Sequence, residues 1–259
     1  MTSADKFDAN MAQWLSSLDQ PWNRLRYSVF QANLKRHLPG HALRVLDAGG
    51  GSGSDAIPLA QQGHHVTLAD FSGAMLDEAR SQAKALDVAE RMQFVQADLL
   101  ELPAHFLEPV FDVVLCHNVL QYLDDAQAGM HAICGPLKPD GIVSVININR
   151  YSDLLQAALL RHDLSEALAN LDTHESFTPL FDTPLRHYAG EELIPVLEAA
   201  GCTLLGHYGV RCINDYITDN ALKTDPTFYA RLEALEMTLS DRYPYYLMAR
   251  FFQLIGRKN

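Results

Sequence analysis

The chain has 259 residues, of which 48% are hydrophobic and 20% charged, an ordinary composition for a globular protein. Twenty Lys and Arg residues against 32 Asp and Glu residues give a net charge of −12, which disfavours nonspecific binding to nucleic acid or anionic membranes but allows a local basic patch. The residues MTSADKFDAN lack the apolar core of a signal peptide, and no apolar run is long enough to span a membrane. We therefore predict a cytoplasmic protein without a membrane partner.

The cysteines are widely spaced and form no C-x-x-C pair. They are Cys116, Cys134, Cys202 and Cys212. This pattern indicates neither a metal site nor a disulfide framework, and it predicts free thiols.

Residues 1–40 are predicted to form a helical lid. Apolar residues recur at helical spacing on both sides of Pro21, which breaks the pattern. They are Phe7, Met11, Trp14, Leu15, Leu25, Val29, Leu34 and Leu38. Arg24 and Arg26 lie in this segment, either as solvated charges or as ligand contacts.

A glycine-rich turn follows the first predicted strand. Residues 43–53 read LRVLDAGGGSG, an apolar run that ends in Asp47 and four glycines, and residues 55–62 are predicted to be helical. Glycine allows positive φ and lets a ligand lie directly against the main chain. The second predicted strand, His65–Asp70, ends in a carboxylate that can accept both hydroxyls of a ribose. The pattern predicts a site for a nucleoside cofactor.

Two cofactors fit this turn. The dinucleotide fingerprint G-x-G-x-x-G/A is formed by Gly51, Gly53 and Ala56. An alternative frame places an acid before the glycines and suits a cofactor with a cationic end. It is formed by Asp47, Gly49, Gly51 and Gly53. The second frame resembles motif I of class I S-adenosylmethionine-dependent methyltransferases, and Asp70 resembles their ribose-binding acid.

The next two strands extend this resemblance. Ser72 is predicted to cap a helix, and a strand over residues 92–97 ends at Asp98. In the methyltransferases the acid at this place accepts from the adenine amino group, with apolar neighbours against the ring, although such an acid can also be only a turn residue. The resemblance implies that the base contacts Ala97, Asp98 and Leu99, and we add two residues that follow the second strand, Phe71 and Met75, to the predicted cofactor site.

The fourth predicted strand, Phe111–His117, leads into Asn118. Ligands of open α/β sheets bind at the carboxyl ends of the strands, so we expect His117 and Asn118 beside the sulfonium. A lone histidine can equally be a structural residue. Residues 137–141 are predicted to form a turn and residues 142–148 the fifth strand. The phrase LKPDGIVSV resembles the loop and strand that close the cofactor half of the methyltransferases.

The pattern changes after the fifth strand. Residues 151–188 are predicted to be a helical cap that binds the acceptor, and they are acidic. The predicted elements that follow are a helix over residues 190–200 capped by Gly201, a strand over 202–208, a helix over 227–239 with Leu235 on its apolar face, and a last strand over 246–257. Together they predict one α/β domain over residues 1–259, with residues 41–150 as cofactor core and 189–259 completing a doubly wound, mostly parallel seven-stranded sheet.

The C-terminal third resembles one subgroup, the bacterial tRNA carboxymethoxyuridine methyltransferases. The resemblance lies in Leu197–Gly201, Gly209-Val210-Arg211, Asp215-Tyr216, Leu232–Glu236, Pro244-Tyr245 and Arg250. Leu25-Arg26 also matches the subgroup, in which the arginine lies at the cofactor site. The enzymes of this subgroup esterify the carboxylate of a modified wobble uridine and carry a lysine-rich cap, whereas the cap here is acidic. Because binding of tRNA draws on Lys and Arg contacts to phosphates, a small metabolite is an alternative acceptor.

We predict an S-adenosylmethionine-dependent methyltransferase that acts on a carboxylate or another oxygen of a small metabolite or of tRNA, with S-adenosylhomocysteine as product. A carboxylate acceptor needs no base but a cation to hold it, for which we predict Arg211, with an ion pair to Asp215 as the alternative role. A hydroxyl or amine acceptor needs a base, for which His117 or a tyrosine of the cap is the candidate. The other hypotheses are an NAD(P)-dependent reductase and a cofactor-fold protein that binds without catalysis.

Overall fold

A computed structural model describes residues 20–178 and 183–259. The helix predicted from Phe7 to Leu15 lies outside the described residues. In chain order the strands are β1 (Arg44–Ala48), β2 (His65–Asp70), β3 (Met92–Gln96), β4 (Phe111–His117), β5 (Leu137–Ile148), β6 (Glu175–Thr178), β7 (Thr183–Arg186), β8 (Cys202–Val210) and β9 (Phe251–Lys258).

The α-helices among the described residues are α1 (Pro21–Lys35), α2 (Ala56–Gln61), α3 (Gly73–Ala85), α4 (Leu102–His105), α5 (Ala126–Cys134), α6 (Arg150–Leu159), α7 (Leu164–Ala169), α8 (Gly190–Ala199) and α9 (Pro226–Leu239). Short 3₁₀ turns connect several of them, at Leu99–Glu101, Leu120–Tyr122, Asn214–Tyr216 and Tyr245–Met248 among others. None of the helices in these two ranges is long and apolar enough to cross a membrane.

Seven strands form one sheet in the order β3-β2-β1-β4-β5-β9-β8. The first five pair in parallel, and β9 lies antiparallel between β5 and β8. Apolar side chains cover both faces of the central strands, which explains why β4 reads as an almost continuous apolar run. The predicted fold class is therefore confirmed.

The starts of β5 and β9 were predicted wrongly, and β8 ends at Val210, two residues beyond the predicted end. Strand β5 begins at Leu137 rather than after a turn over residues 137–141, because Leu137 pairs with Phe111 before a register shift in β4. The last strand begins at Phe251 rather than at Tyr246. Phe251 pairs with Ile148 and Val210, the final residues of β5 and β8, so the residues before it have no strand beside them.

The cap contains a β-hairpin as well as helices, which corrects the prediction of a helical cap. Helices α6 and α7 contact each other, and β6 then pairs antiparallel with β7, Glu175 opposite Arg186. Asp163 caps α7 by accepting the amide of Glu166 at 2.8 Å. The hairpin returns the chain to the sheet through a bridge between Asn149 and Tyr188.

Helix α9 packs with a face different from the predicted one. Leu232 and Leu239 are buried as expected, but Leu235 is 43% exposed and Glu236 is fully buried in its place. Gly201 follows α8 with a φ of +80°, one residue beyond the C-cap Ala200, so its role as a helix terminator is confirmed with this small shift.

Candidate cofactor and acceptor site

The glycine turn after β1 brings main chain to the surface of a cavity. Gly49 and Gly51 have positive φ values of 75° and 55°. A Cβ on Gly49 would lie 2.5 Å from Val119, and one on Gly50 would lie 2.5 Å from the Asp47 carboxylate. The amides of Gly49 and Gly50 donate to the Ala69 carbonyl, which ties the turn to β2. Only glycine fits this approach.

The cavity has a volume of about 290 Å³ and lies at the carboxyl ends of β1, β2, β3 and β4. The residues that line it are Arg26, Tyr27, Asp47, Gly49, Gly50, Gly51, Ser54, Asp55, Ala69, Asp70, Phe71, Met75, Ala97, Asp98, Leu99, Leu102, His117, Asn118, Val119, Tyr122, Leu123 and Thr183. The structure thus brings together all of the predicted cofactor residues except Gly53.

Asp70 is held at the tip of β2 by two backbone amides. Its Oδ2 accepts from Gly51 at 2.9 Å and its Oδ1 from Ser72 at 2.9 Å. Ser72 also caps α3, as predicted, by accepting the amide of Met75. Both carboxylate oxygens are therefore oriented before a ligand arrives, which favours hydrogen bonds to vicinal hydroxyls.

Asp47 is a buried carboxyl group beneath the glycine turn. Its burial, followed by the charges of Asp55 and Asp70, raises its pKa well above the ordinary value. Its Oδ2 is buried without a hydrogen-bond partner among the described residues. A ligand with an ammonium group would supply both a donor and an opposite charge at this point.

Asp98 combines both predicted roles. It lines the cavity with Ala97 and Leu99, and its Oδ1 accepts from the amide of Leu100 at 2.9 Å to cap the turn Leu99–Glu101. Phe71 and Met75 complete the apolar part of the wall. Such a pairing of an exposed acid with apolar neighbours suits an adenine ring and its amino group.

His117 lies at the end of β4 with both ring nitrogens occupied. Nδ1 lies 2.6 Å from Asp55 Oδ2, and Nε2 lies 2.9 Å from Ser144 Oγ. The ring edge packs on Phe30 of α1, with the centroids 4.8 Å apart. Burial raises the pKa of Asp55, but the hydrogen bond and charge of His117, together with Arg26, outweigh burial and lower it. This pair lies in the wall of the cavity.

Arg26 extends from α1 into the same wall. Its Nη2 lies 3.8 Å from Asp55 Oδ1, and its guanidinium carbon lies 4.7 Å from the Tyr27 ring centroid. Its Nε is buried without a hydrogen-bond partner in the described part of the chain. Asn118 has a φ of 58°, and its Oδ1 is also buried without a hydrogen-bond partner among the described residues.

Two predicted site residues lie outside the cavity. Gly53 has a φ of +84°, and its amide donates to the Gly50 carbonyl. A Cβ at this position would crowd Ile57 and Leu68. Gly53 therefore determines the conformation of the turn and does not line the cavity. Arg211 forms the alternative ion pair: its Nε and Nη2 donate to the two carboxylate oxygens of Asp215 at 2.7 and 2.6 Å.

Several residues that line the cavity were not predicted from the sequence. Asp55 was placed at the start of a helix, and its partnership with His117, 62 residues away, leaves no local pattern. Tyr27 lies next to a predicted site residue, and Thr183 begins the second strand of the cap hairpin. Tyr27, Gly50 and Val119 carried a signal, because each lies directly beside a predicted site residue.

The buried polar atoms of this cavity that lack a hydrogen-bond partner among the described residues fit S-adenosylmethionine. Asp47 Oδ2 suits an ammonium group and Arg26 Nε a carboxylate, while Asp70 and Asp98 suit a ribose and an adenine. The parallel sheet, the glycine turn after β1 and the acid at the end of β2 define an enzyme of the class I methyltransferase type.

Comparison with known proteins agrees with this class. The model of the family described as "Methyltransferase domain" matches residues 40–201, and the chain belongs to the S-adenosylmethionine-dependent methyltransferases. This family membership favours the methyltransferase motif, which begins with Asp47, over the dinucleotide fingerprint as the reading of the glycine turn.

One relative covers nearly the whole chain. The chain is 32% identical to a tRNA 5-carboxymethoxyuridine methyltransferase of Escherichia coli K12, over 91% of this chain and 88% of the relative. It is also 32% identical to a ubiquinone biosynthesis O-methyltransferase of Rickettsia akari, over 49% of each protein. A solved structure of an S-adenosylmethionine-dependent methyltransferase from Thermotoga maritima, described as a possible histamine N-methyltransferase, superposes with a TM-score of 0.67. That match has 17% identity and covers 100% of both chains, and it shows the fold alone.

Proposed function

We propose that the protein methylates a carboxylate, and that this carboxylate belongs to 5-carboxymethoxyuridine in tRNA. The observation that carries the choice of a carboxylate is the full occupation of His117. An acceptor that arrives ionised needs no proton acceptor in the enzyme, whereas a hydroxyl or amine acceptor does.

The hydrogen-bond network around His117 defines which nitrogen carries the proton. Gln253 Nε2 donates to Ser144 Oγ at 3.0 Å, and Gln253 Oε1 accepts from Asn33 Nδ2 at 3.1 Å. Asp55 has a lowered pKa and, as a carboxylate, can only accept, so His117 Nδ1–H donates to it. In the neutral imidazole, Nε2 then accepts from the Ser144 hydroxyl. Because protein groups engage both ring nitrogens, neither is open to a substrate proton, and we assign His117 a positioning role in place of the predicted role as base.

The other titratable side chains of the cavity are poor bases at neutral pH. Burial raises the pKa of Tyr27, and burial raises that of Tyr122 to about 12, so both phenols remain protonated. Asp47 is matched to the ammonium of the cofactor, and Asp70 is committed to backbone amides and the ribose. The geometry thus favours a carboxylate acceptor over a hydroxyl or an amine acceptor.

In this mechanism the chain's own residues contribute alignment. When bound, S-adenosylmethionine would supply a methyl group that passes from its sulfur to the acceptor oxygen, with the electron pair of the broken carbon–sulfur bond left on sulfur. Asp47, Asp70 and Arg26 would hold the two ends of the cofactor, and His117 keeps Asp55 fixed beside Arg26. No proton moves, so the residues act by orientation and by exclusion of water.

The choice of tRNA draws on the long relative and on local charge. Residues 20–43 contain no acid, and Arg24, Lys35 and Arg36 are exposed on or just after α1. Some cap acids also serve the fold: Asp163 caps α7 and Glu166 pairs with Arg161. These features reduce the conflict between an acidic chain and a polyanionic acceptor. A small carboxylate metabolite is the second candidate, favoured by the net charge of −12.

The test is to incubate the protein with labelled S-adenosylmethionine and either purified bacterial tRNA that contains 5-carboxymethoxyuridine or the small-molecule fraction of the same cells. We expect label in tRNA, in a base-labile ester, and a kcat that is flat between about pH 6 and 9. Label only in small molecules would contradict the tRNA assignment. A rate that falls below a single pKa between about 6 and 8 would contradict the absence of a base.

A further inference from the structure

We infer that Arg211 and Arg250 together form the site for the acceptor's carboxylate, beside the ring of Phe251. This inference deepens the proposed function, on which it rests, and it assigns Arg26 to the cofactor side of the same ring. Arg250 is a residue for which the sequence analysis predicted no role of its own.

Three guanidinium groups gather around Phe251. The guanidinium carbons of Arg211, Arg26 and Arg250 lie 5.3, 5.8 and 5.9 Å from the centroid of this ring. Burial lowers the pKa of Arg211, Asp215 opposes this shift, and Arg250 and Arg26 add to it. Like charges repel one another, so such a cluster is costly unless anions offset it.

The topology places this cluster at the ligand edge of the sheet. Arg211 follows the last residue of β8, and Arg250 precedes the first residue of β9, which runs in the opposite direction. The backbone amide of Arg250 donates to the Arg211 carbonyl at 3.0 Å, which keeps the two residues side by side. Arg26 lines the cavity and also lies beside the ring of Phe251, so this ring connects the cofactor wall to the arginine pair.

Each arginine of the pair has donors to spare. Arg211 gives Nε and Nη2 to Asp215. Arg250 gives Nη1 to Ser152 and Asp153, each at 3.0 Å, and with the amide of Gln156 correctly oriented Arg250 Nε and Nη1 also donate to its oxygen at 3.1 and 2.7 Å. Within residues 20–178 and 183–259, Arg211 Nη1 and Arg250 Nη2 donate to no group. Since guanidinium nitrogens match the two oxygens of a carboxylate, the unused donors of the pair suit this anion.

The fold maintains this arrangement at a cost in stability. Arg211 has a φ of 62°, an uncommon conformation for a residue with a side chain. Its ion pair with Asp215 is almost buried, with side-chain exposures of 13% and 10%, and such pairs add little net stability. A strained, buried cation at the ligand edge indicates a binding role, because a structural role would be met better by apolar packing.

The cap is connected to the same pair. Asp153 of α6, which accepts from Arg250, also accepts a hydrogen bond from His187 at the end of the cap hairpin. His187 in turn pairs with Ser176 of β6 at 2.9 Å. The acceptor's carboxylate would therefore bind Arg250 beside the cap. This position suits an acceptor bound between the cap and the sheet.

The experiment compares Arg211→Lys and Arg250→Lys with Arg80→Lys, a control on an exposed ion pair with Asp77 of α3. Lysine keeps the charge but loses the planar fork. We expect kcat/KM for the tRNA to fall at least about tenfold in both test variants and to stay unchanged in the control. The Kd for S-adenosylhomocysteine, measured by calorimetry, and the Tm are expected to change little in all three.

A second measurement compares two nucleosides. Binding of free 5-carboxymethoxyuridine to the protein loaded with S-adenosylhomocysteine is compared with binding of its neutral carboxamide. The carboxylate is expected to bind at least about tenfold more tightly, and Arg250→Lys is expected to reduce this preference. Equal binding of the two nucleosides overturns the inference.

The outcomes separate this inference from the proposed function. If the unaltered protein methylates the tRNA and both lysine variants do so with parental kcat/KM, the arginine pair is wrong and the proposed function stands. If the unaltered protein methylates no carboxymethoxyuridine, the proposed function fails and the inference fails with it. A parallel loss of cofactor affinity in Arg211→Lys and Arg250→Lys would place the pair in the cofactor site and overturn the assignment.

Discussion

The carboxylate of Glu236, fully buried in α9, lies 2.6 Å from the backbone nitrogen of Cys212 and accepts its hydrogen. It also accepts the next two amides, from Ile213 at 3.0 Å and from Asn214 at 2.7 Å. One side chain thus satisfies three successive donors directly after Arg211 and fixes the direction in which that residue leaves β8.

We expect Glu236→Gln to lower the free energy of unfolding by about 1–3 kcal/mol, because the amide nitrogen would face a backbone donor in place of an acceptor oxygen. The variant is also expected to raise the KM for the acceptor through displacement of Arg211. Chemical denaturation and steady-state kinetics measure the two effects. Glu233→Gln, one turn away on the same helix, is the control, and equal stability of the two variants would contradict the role of Glu236.

Asp70→Ala is expected to weaken cofactor binding by at least about tenfold, since each hydrogen bond to a charged group contributes about 1.5–3 kcal/mol. The Gly51 and Ser72 amides would lose their acceptor at the same time, so Asp70→Asn serves as the milder variant. Calorimetry with S-adenosylhomocysteine gives the affinity, and circular dichroism reports the fold. A folded Asp70→Ala protein with parental affinity would remove this residue from the site.

Cofactor binding is expected to release a proton from Asp47. Burial, with Asp55 and Asp70, raises the pKa of this carboxyl in the ligand-free protein, and an ammonium ligand favours its ionised form. Affinity should therefore rise as the pH rises from the ordinary value of 3.8 toward the raised one. The same shift makes the ligand-free fold lose stability as the pH rises through that window, because the folded state holds this proton more tightly than the unfolded chain.

Calorimetric titrations in two buffers with different ionisation enthalpies detect this proton. Asp47→Asn should bind the cofactor more weakly and without proton release, while Asp112→Asn, far from the cavity, should behave like the parent protein. Identical heats in both buffers for the unaltered protein would contradict the linkage.

Affinity for tRNA is expected to fall by about tenfold to a hundredfold between about 50 and 200 mM salt, as roughly three phosphates lose their cation contacts. Arg24→Gln combined with Lys35→Gln, both on the exposed face of α1, should reduce the slope. Lys84→Gln on α3 is the matched control. Binding that does not respond to salt would argue for a small acceptor.

The local parts of the site could be predicted from the sequence. The order of acid, glycine turn, strand and second acid lies within 24 residues, from Asp47 to Asp70, and each step has a backbone reason: a buried strand, positive φ, a strand end. Ser72 was found for the same reason, because a cap is defined by its neighbours.

The distant pairings could not be predicted in this way. Periodicity placed Leu235 in the core of α9, but Glu236 is there, since three amides from a segment more than 20 residues earlier need its carboxylate. The partnership of Asp55 with His117 and the position of Arg26 and Arg250 beside the same ring, Phe251, depend on which elements are neighbours in the fold. These contacts follow from the sheet order, which the hydropathy pattern alone leaves open.

The position of β9 in the sheet has a consequence for assembly. Strand β8 joins the sheet only through β9, and β9 in turn pairs with β5. Most of the cofactor wall is built by β1 to β4 and their turns, which precede this junction in the chain, whereas Arg211 and Arg250 come together only when β8 and β9 have paired. During biosynthesis the half that carries the glycine turn can therefore take shape first, and the arginine pair that we infer to hold the acceptor assembles last.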